Sequence, residues 1–208
     1  MASGPLVLST RNAHKVREIN RLLAGAGIEV VPLPARIDLP PEDGESFAEN
    51  ALDKARAAAA ATGLTAIADD SGIEALAIGG APGVRSARYA GPGASDEQNL
   101  EKLIREAPAG SELRYVCALA YVEPGDRAED GGSAGLVRAT EHVFFGECRG
   151  RLAPRRAGTG GFGYDPMFLV DGDKSDRTMA ELSDAEKDAI SHRGHAVRAL
   201  MRWLGSRR

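Results

Sequence analysis

The chain has 208 residues, of which 43% are hydrophobic and 27% charged, and its formal net charge at pH 7 is -4. This length allows one substantial domain with a hydrophobic core, and the composition is that of an ordinary globular protein. The negative charge gives no broad attraction for nucleic acid, so we expect no DNA or RNA partner. A small anionic ligand remains compatible, because a few Lys and Arg side chains can line one pocket.

The cysteines and the N-terminus exclude further classes. Cys117 and Cys148 each lie in an apolar, strand-like run, which is typical of small buried side chains rather than of a disulfide or a zinc site. Residues 1–5 lack the basic and apolar regions of a signal peptide, and no apolar stretch reaches membrane-spanning length. We therefore expect a cytoplasmic protein with no membrane partner.

The first 72 residues predict alternating strands and helices. Short apolar runs indicate strands, and apolar side chains at helical spacing indicate helices. Ser46 and Glu49 have the spacing of a capping box, which begins a helix. The predicted order is a strand at 6–8, a helix ended by Gly25 and Gly27, a strand at 28–33, a loop at 40–44, a helix from Ser46 to about Thr62, and a strand at 66–68 that stops at Asp69-Asp70-Ser71-Gly72.

The remainder of the chain predicts long strands and two more capped helices. Ser95 with Gln98, and Ser183 with Glu186, repeat the capping-box spacing. The predicted order is a loop at 79–93, a helix at 95–106, strands at 114–122 and 137–147 joined by a mobile hairpin loop at 123–135, a strand at 166–170, and a helix from 183 to the end. No internal repeat or clean domain boundary is visible, so we expect one mixed α/β domain over residues 1–208.

Polar residues gather at the ends of these elements, where ligand sites of α/β proteins usually lie. The first group follows the first strand and consists of Thr10, Arg11, Asn12, Ala13, His14 and Lys15. A helix N-terminus exposes unpaired N–H groups and a partial positive charge, so it binds phosphate readily, and Lys15 adds a full charge. The alternative is that Asn12 or Thr10 only caps the helix while Lys15 is solvated.

The second group is the adjacent pair Asp69 and Asp70. Neighbouring carboxylates repel each other, which costs free energy unless a cation or hydrogen-bond donors compensate. Mg²⁺ binds one or two carboxylates and fills its other positions with water and phosphate oxygens, and such a carboxylate could also orient or deprotonate a water. The alternative is a turn in which one Asp accepts backbone N–H bonds.

The third group, residues 158–166, contains the Gly-x-Gly-x-x-Gly spacing of dinucleotide-binding loops. We reject that interpretation, because the motif must follow a strand and open a helix, whereas this segment runs into Pro166. What remains is a close-approach backbone beside Phe162 and Tyr164, suited to holding a flat ring. A purely structural loop is the alternative.

The fourth group, residues 186–194, brings together Lys187, His192 and Arg193. Lys187 lies near a helix start, where the helix dipole does not favour a cation, so its position needs an explanation. His192 and Arg193 supply hydrogen-bond donors. The alternative for each residue is a solvated helix face.

Together these groups resemble the inosine/xanthosine triphosphate pyrophosphatase family along nearly the whole chain. Six motifs occur in the family's order. They are Ser9-Thr10-x-Asn12-x-x-Lys15, Phe47-Ala48-Glu49-Asn50-Ala51 with Lys54-Ala55-Arg56, Ala68-Asp69-Asp70-Ser71-Gly72, Gly79-Gly80-Ala81-Pro82-Gly83 with Ser86-Ala87-Arg88-Tyr89, Gly161-Phe162-Gly163-Tyr164-Asp165-Pro166, and Ser191-His192-Arg193-Gly194.

The resemblance implies an elongated mixed sheet with flanking helices, two lobes around a nucleotide-binding cleft, and a homodimer that uses Mg²⁺ to cleave purine nucleoside triphosphates between the α and β phosphates. It implies that Asp70 is the general base and a metal ligand and that Glu42 is a second metal ligand. The residues implied to hold substrate are Thr10 to Lys15, Ser71, Phe162, Gly163, Tyr164, Asp165, Lys187, His192 and Arg193, the last two near the base.

Three departures from the family pattern and two rival functions remain open. Arg11 replaces a frequent glycine and either adds a phosphate contact or points outward, the 123–135 segment is long, and the loop that carries Glu42 varies in length. One rival function is a pyrophosphatase for modified pyrimidine or methylated nucleotides. The other is a nucleotide-binding module without turnover, against which the adjacent carboxylates argue.

Overall fold

The computed structural model of the chain describes residues 4–125 and 139–207. It confirms the α/β class, since six strands form one sheet in the order β2-β1-β3-β4-β5-β6. The strands are β1 (Leu6–Leu8), β2 (Val30–Pro32), β3 (Ala66–Ala75), β4 (Glu112–Glu123), β5 (Thr140–Leu152) and β6 (Phe168–Val170). The helices are α1 (Ala13–Ala24), α2 (Phe47–Thr62), α3 (Asp96–Glu106), α4 (Asp184–Ile190) and α5 (His192–Ser206). Most of the predicted hairpin loop at 123–135, and the predicted start of its second strand at Val137, lie outside the described residues.

The predicted βαβ opening is confirmed. β1 pairs in parallel with both β2 and β3, so α1 and α2 are the crossovers that parallel strands require. β5 pairs antiparallel with β6, which makes the sheet mixed. The three predicted capping boxes begin α2, α3 and α4.

β3 differs from its prediction, because Asp69 and Asp70 lie inside the strand and not after its end. β1 stops at Leu8, whose partner in β3 is Ile67. From there β3 runs on to Ala75 with β4 as its remaining neighbour in the sheet. The Asp-Asp-Ser-Gly sequence has turn propensity, but pairing in the sheet overrides that local preference. The acidic pair thus lies just beyond the end of β1 on a continuing strand.

The single C-terminal helix that the sequence predicted is two helices, because Ser191 is extended (φ -68°, ψ 154°) and ends α4. The Ser191 hydroxyl accepts a hydrogen bond from the Gly194 N–H and so caps the first turn of α5. The Arg198 guanidinium donates to the carbonyl oxygens of Asp188 and Ala189 at the end of α4. The apolar spacing from Ile190 to Leu204 gave no sign of this break, which depends on the backbone conformation of Ser191.

One predicted loop and one predicted strand contain short 3-10 helices. The loop at 79–93 holds one at Gly83–Arg88, and the strand predicted at 166–170 begins as a 3-10 helix at Asp165–Met167 before β6. No α-helix opens within the described residues 158–166. The rejection of the dinucleotide-loop interpretation is therefore confirmed.

The chain divides into two compact units. The first unit comprises Met1–Asp70, Ala118–Phe144 and Ala199–Arg208, and the second comprises Ser71–Cys117 and Phe145–Arg198. Cys117 and Cys148 are buried free thiols, as predicted. Among the described residues, no helix combines the length and the apolar character needed to cross a membrane.

Candidate active site

The acidic pair of β3 is buried in the first unit and faces two lysines. The carboxylate of Asp69 is fully buried and that of Asp70 nearly so. Lys15 Nζ lies 3.1 Å from Asp69 Oδ2, and Lys54 Nζ lies 3.8 Å from Asp70 Oδ1. These ammonium groups supply the positive charge that two adjacent buried carboxylates need. We call Lys15, Glu42, Lys54, Asp69 and Asp70 the acid–lysine cluster.

Lys54, on α2, joins the parts of this cluster. Its Nζ donates a 2.8 Å hydrogen bond to the backbone carbonyl of Asp69 and contacts the carboxylate of Glu42. Only 4% of Lys54 is exposed. Glu42, which the sequence placed on a variable loop, is thereby held at the same ammonium group as Asp70.

Asn50, one helical turn before Lys54, orients the Asp70 carboxylate. Its Nδ2 donates to Asp70 Oδ2 at 2.9 Å, and its Oδ1 accepts from the Gly44 N–H at 2.8 Å. A Cβ on Gly44 would lie only 2.7 Å from the Asn50 oxygen, so this approach needs glycine. One amide therefore ties the loop that carries Glu42 to the carboxylate of β3.

Burial and charge shift the pKa values in this cluster in different directions. Burial raises the pKa of Asp70, and the charges of Lys54 and Lys15 only partly offset it. Burial would also raise the pKa of Glu42, but the charge and hydrogen bond of Lys54, with the charge of Lys15, hold it below its usual value. The pKa of Lys54 is raised, since the carboxylates Asp70, Asp69 and Glu42 outweigh its burial.

The donor set of the cluster fits Mg²⁺. Glu42 and Asp70 present hard carboxylate oxygens that converge on one ammonium group, and Mg²⁺ needs only one or two carboxylates when waters and phosphates fill its other positions. In the described part of the chain, no three or more His, Cys, Asp or Glu side chains form a ready metal cage. The arrangement therefore suits a metal that arrives with a phosphate ligand.

The N-terminus of α1 combines a cap with a directed lysine. Asn12 Oδ1 accepts hydrogen bonds from the N–H groups of His14 and Lys15, so the capping alternative holds for Asn12. The Lys15 side chain is only 14% exposed and pairs with Asp69, so the solvated alternative is wrong for Lys15. Thr10 also accepts a bond from the Asn12 N–H, at 3.2 Å.

Arg11 and His14 have partners of their own. The Arg11 guanidinium donates to the carbonyl oxygens of Leu33, Pro34 and Ile37 at 2.7 to 2.8 Å. It thereby fastens the segment that follows β2. The His14 imidazole lies 2.8 Å from the Arg17 guanidinium. Contacts of Arg11, Ala13 and His14 with phosphate stay predictions.

A second cluster lies in the second unit, around the carboxylate of Asp165. Asp165 Oδ1 accepts a hydrogen bond from the Tyr115 hydroxyl at 2.9 Å. Asp165 Oδ2 accepts from Lys187 Nζ at 2.7 Å and from the Phe162 N–H at 2.9 Å. Lys187 makes this buried ion pair from the last turn of α4, a helix of only seven residues, where the helix dipole favours a cation. It does not lie near the start of a long helix, as the sequence predicted. The aromatic–cation cluster is defined as Tyr115, Phe162, Asp165, Lys187, His192 and Arg193.

The ring of Phe162 is flanked by two cations. Lys187 Nζ lies 5.2 Å and the Arg193 guanidinium carbon 5.9 Å from its centroid, both within cation–π range. Arg193 is 1% exposed and donates a 2.8 Å hydrogen bond to the hydroxyl of Ser71. Ser71 directly follows Asp70 in the chain.

The glycine-rich loop before Asp165 is shaped by close backbone approach. A Cβ on Gly161, which has φ +68°, would lie 2.0 Å from Asp165 Oδ2. Tyr164 is buried and donates from its hydroxyl to the Ser86 carbonyl, while the Gly163 N–H donates to Asp96. The predicted roles of Gly163 and Tyr164 toward a nucleotide stay predictions.

Sequence reasoning about site residues missed Asn50, Lys54 and Tyr115. The sequence contained a signal for Asn50 and Lys54, because they are polar residues four apart on one face of an alanine-rich helix. They also belong to the second of the six family motifs. Tyr115 gave no signal, since an aromatic residue in a strand is ordinary core composition.

The fold and the two clusters define the class of protein: an α/β protein with one buried carboxylate–lysine centre and one aromatic, cationic centre. A profile of the Ham1 family matches residues 6–203. The chain belongs to the Ham1 family, which confirms the resemblance found in its motifs.

Relatives and solved structures agree with this assignment. The dITP/XTP pyrophosphatase of Symbiobacterium thermophilum is 47% identical over 201 residues, covering 95% of this chain and 93% of the relative. The protein of the same name from Cutibacterium acnes is 45% identical, with 94% of each chain covered. A HAM1 protein from Coxiella burnetii has a TM-score of 0.78 at 37% identity, covering 97% of this chain and 98% of that one.

Proposed function

We propose that the chain is a Mg²⁺-dependent pyrophosphatase that converts ITP, dITP and XTP to the nucleoside monophosphate and pyrophosphate. The observation that carries this proposal is the buried pair Asp69 and Asp70 held by Lys15 and Lys54. Such a centre matches the needs of phosphate-anhydride cleavage, which depends on positioning and on charge neutralisation. The names of the relatives, dITP/XTP pyrophosphatase, support the substrate class.

The acid–lysine cluster performs the phosphate chemistry in this proposal. Asp70 positions the attacking water and accepts its proton, and its raised pKa makes the carboxylate a stronger base than an exposed one. Asn50 holds Oδ2 of Asp70, while Lys54 Nζ lies 3.8 Å from Oδ1, so both neighbours orient the carboxylate. Lys15 and Lys54 stabilise the negative charge of the triphosphate, with Lys15 at the N-terminal turn of α1.

Glu42 and Asp70 would hold the Mg²⁺ ion. When bound, the ion neutralises phosphate charge and polarises the bond that is cleaved. Lys54 contacts both carboxylates, so it would have to release part of this contact as the ion and the substrate enter. Lys54 is then free to bind a phosphate oxygen.

The aromatic–cation cluster recognises the base in this proposal. Phe162 stacks on the purine, and Lys187, His192 and Arg193 supply donors, with Ser71 held beside Arg193. Deamination converts the 6-amino donor of adenine into a keto acceptor. Donors that meet this oxygen would face an unpaired amino group in ATP, and such mismatches discriminate strongly.

Two further parts of the proposal are a homodimer, which rests on the resemblance alone, and a cytoplasmic location, which stays the expectation drawn from the sequence. Light scattering of the purified protein at micromolar concentration would measure the first. A mass of one chain would reject the dimer without affecting the chemistry.

The test of the proposed function is pyrophosphate release from ITP, dITP, XTP, ATP, GTP and dTTP, each with and without Mg²⁺. We expect metal-dependent turnover of the inosine and xanthosine substrates and slow turnover of ATP and GTP. Equal turnover of all six would reject the base-recognition part and leave the phosphate chemistry. No turnover of any triphosphate would reject the proposal.

A further inference from the structure

Tyr115, on β4, packs directly against a residue of the proposed base site. Its ring lies almost parallel to the imidazole of His192, with centroids 4.7 Å apart and an angle of 10° between the planes. It also contacts Phe168, with centroids 4.5 Å apart. Tyr115 is 6% exposed and Phe168 is fully buried. In a close-packed interior this stack restricts the plane of the imidazole.

The hydroxyl of Tyr115 contacts a second part of the same cluster. It donates to Asp165, which in turn binds Lys187 and the Phe162 N–H. Burial, together with the charge and hydrogen bond of Asp165, raises the pKa of Tyr115 well above its usual value, so the hydroxyl remains a donor. One buried side chain thus contacts both His192 and the carboxylate that orders Lys187 and Phe162.

We propose that Tyr115 is a positioning residue for base selection, which fixes the plane of the His192 imidazole with its ring and the Asp165 carboxylate with its hydroxyl. The inference rests on the proposed function. Tyr115 acts through His192 and Asp165, because its burial keeps it from the substrate. An imidazole whose plane is not fixed distinguishes less well between a keto and an amino group. This loss of discrimination comes before a loss of affinity for nucleotides in general.

The test compares kcat/KM for ITP with kcat/KM for ATP in Tyr115→Phe and Tyr115→Leu. The Phe variant keeps the ring, and Asp165 keeps two donors, so we expect the ITP:ATP ratio to fall by about threefold or less. The Leu variant loses ring and hydroxyl, and we expect a fall of roughly tenfold. If the Leu variant does not fold, Tyr115→Met removes the same groups, and its flexible side chain can fill the irregular space that remains.

Tyr121→Leu is the matched control, since Tyr121 lies on the same strand, is fully buried and packs against Trp203 in the first unit. It should lower stability and leave the ITP:ATP ratio at the wild-type value. A Tyr115→Leu or Met variant with the wild-type ratio would overturn the inference alone. A wild-type enzyme with no preference for ITP would overturn the proposed function, and this inference with it.

Discussion

At the scale of single residues, the conflict between burial and charge is sharpest at Asp70. Its carboxylate is almost fully buried beside Asp69 and Glu42, and burial raises its pKa. A carboxyl whose pKa is higher in the folded state stabilises the fold less once it ionises. The free energy of unfolding therefore falls as pH rises from the ordinary value of 3.8 through the raised value. Carboxyl groups whose pKa is raised by burial are typical of catalytic sites.

Replacement of Asp70 by Asn should stabilise the metal-free protein and abolish hydrolysis. Asn keeps an oxygen for the Asn50 amide and removes the buried charge, so we expect a gain on the order of 1 kcal/mol at pH 7, the usual size of such a stabilising change. Denaturant unfolding at pH 7, and ITP turnover with Mg²⁺, measure the two effects.

The gain of Asp70→Asn should shrink as pH is lowered toward 3.8, because the wild-type carboxyl then becomes neutral as well. Glu42→Gln is the comparison, since the pKa of Glu42 is lowered and its charge stabilises the fold at neutral pH. That variant should be less stable than wild type at pH 7. A less stable Asp70→Asn protein at pH 7 would contradict the argument.

At the scale of elements, α2 and β3 together build the core of the acid–lysine cluster. The capping box at Ser46 begins α2, and the side chains of Asn50 and Lys54 then lie on the face that meets Asp69 and Asp70. Ser9 donates to the Lys54 carbonyl, which ties the end of β1 to the same helix. Orientation of Asp70 thus comes from a helix face and not from the local Asp-Asp-Ser-Gly sequence.

Asn50→Ala should lower both turnover and stability. The variant loses the bonds to Asp70 and Gly44, and we expect a loss of stability of about 1–3 kcal/mol from the unsatisfied groups. Misplacement of the base should lower kcat for ITP by roughly a hundredfold. Steady-state kinetics and denaturant unfolding provide both values.

Asn99→Ala is the control for Asn50→Ala. Asn99 is equally buried and also bonds a loop, with Oδ1 accepting from the Ala90 N–H and Nδ2 donating to the Ala87 carbonyl. It has the same structural task on α3 without contact to the acid–lysine cluster. Equal losses of kcat in the two variants would show that Asn50 only supports the fold.

At the scale of the whole molecule, the buried thiols report global unfolding. Cys117 and Cys148 are 0% and 6% exposed, and burial raises the pKa of Cys148 to about 12. At pH 8 the thiolate fraction of Cys148 is then roughly one part in ten thousand. Both thiols lie in the second unit, within β4 and β5.

Iodoacetamide at pH 8 should leave both cysteines of the folded protein unmodified over an hour, while the protein in denaturant gains two adducts. Intact-mass spectrometry counts the adducts, and free glutathione in the same tube serves as the reactivity control. Rapid single labelling of the folded protein would show that the second unit opens locally.

Much of this protein follows from the sequence alone. The α/β class, the βαβ opening and the three capping boxes depend on interactions a few residues apart, so spacing and residue type predict them. The family also follows from the sequence, because six ordered motifs carry it. The same motifs contain Asp70, Lys15 and Asn50.

Only the tertiary structure decided where those side chains meet. It moved Asp69 and Asp70 into the middle of β3, because a neighbouring strand outweighs a local turn preference. It divided the last helix at Ser191, and it placed Tyr115 against His192 and Asp165. The Tyr115 contacts join residues 50 or more positions apart. No local pattern encodes which distant partner a buried polar group finds.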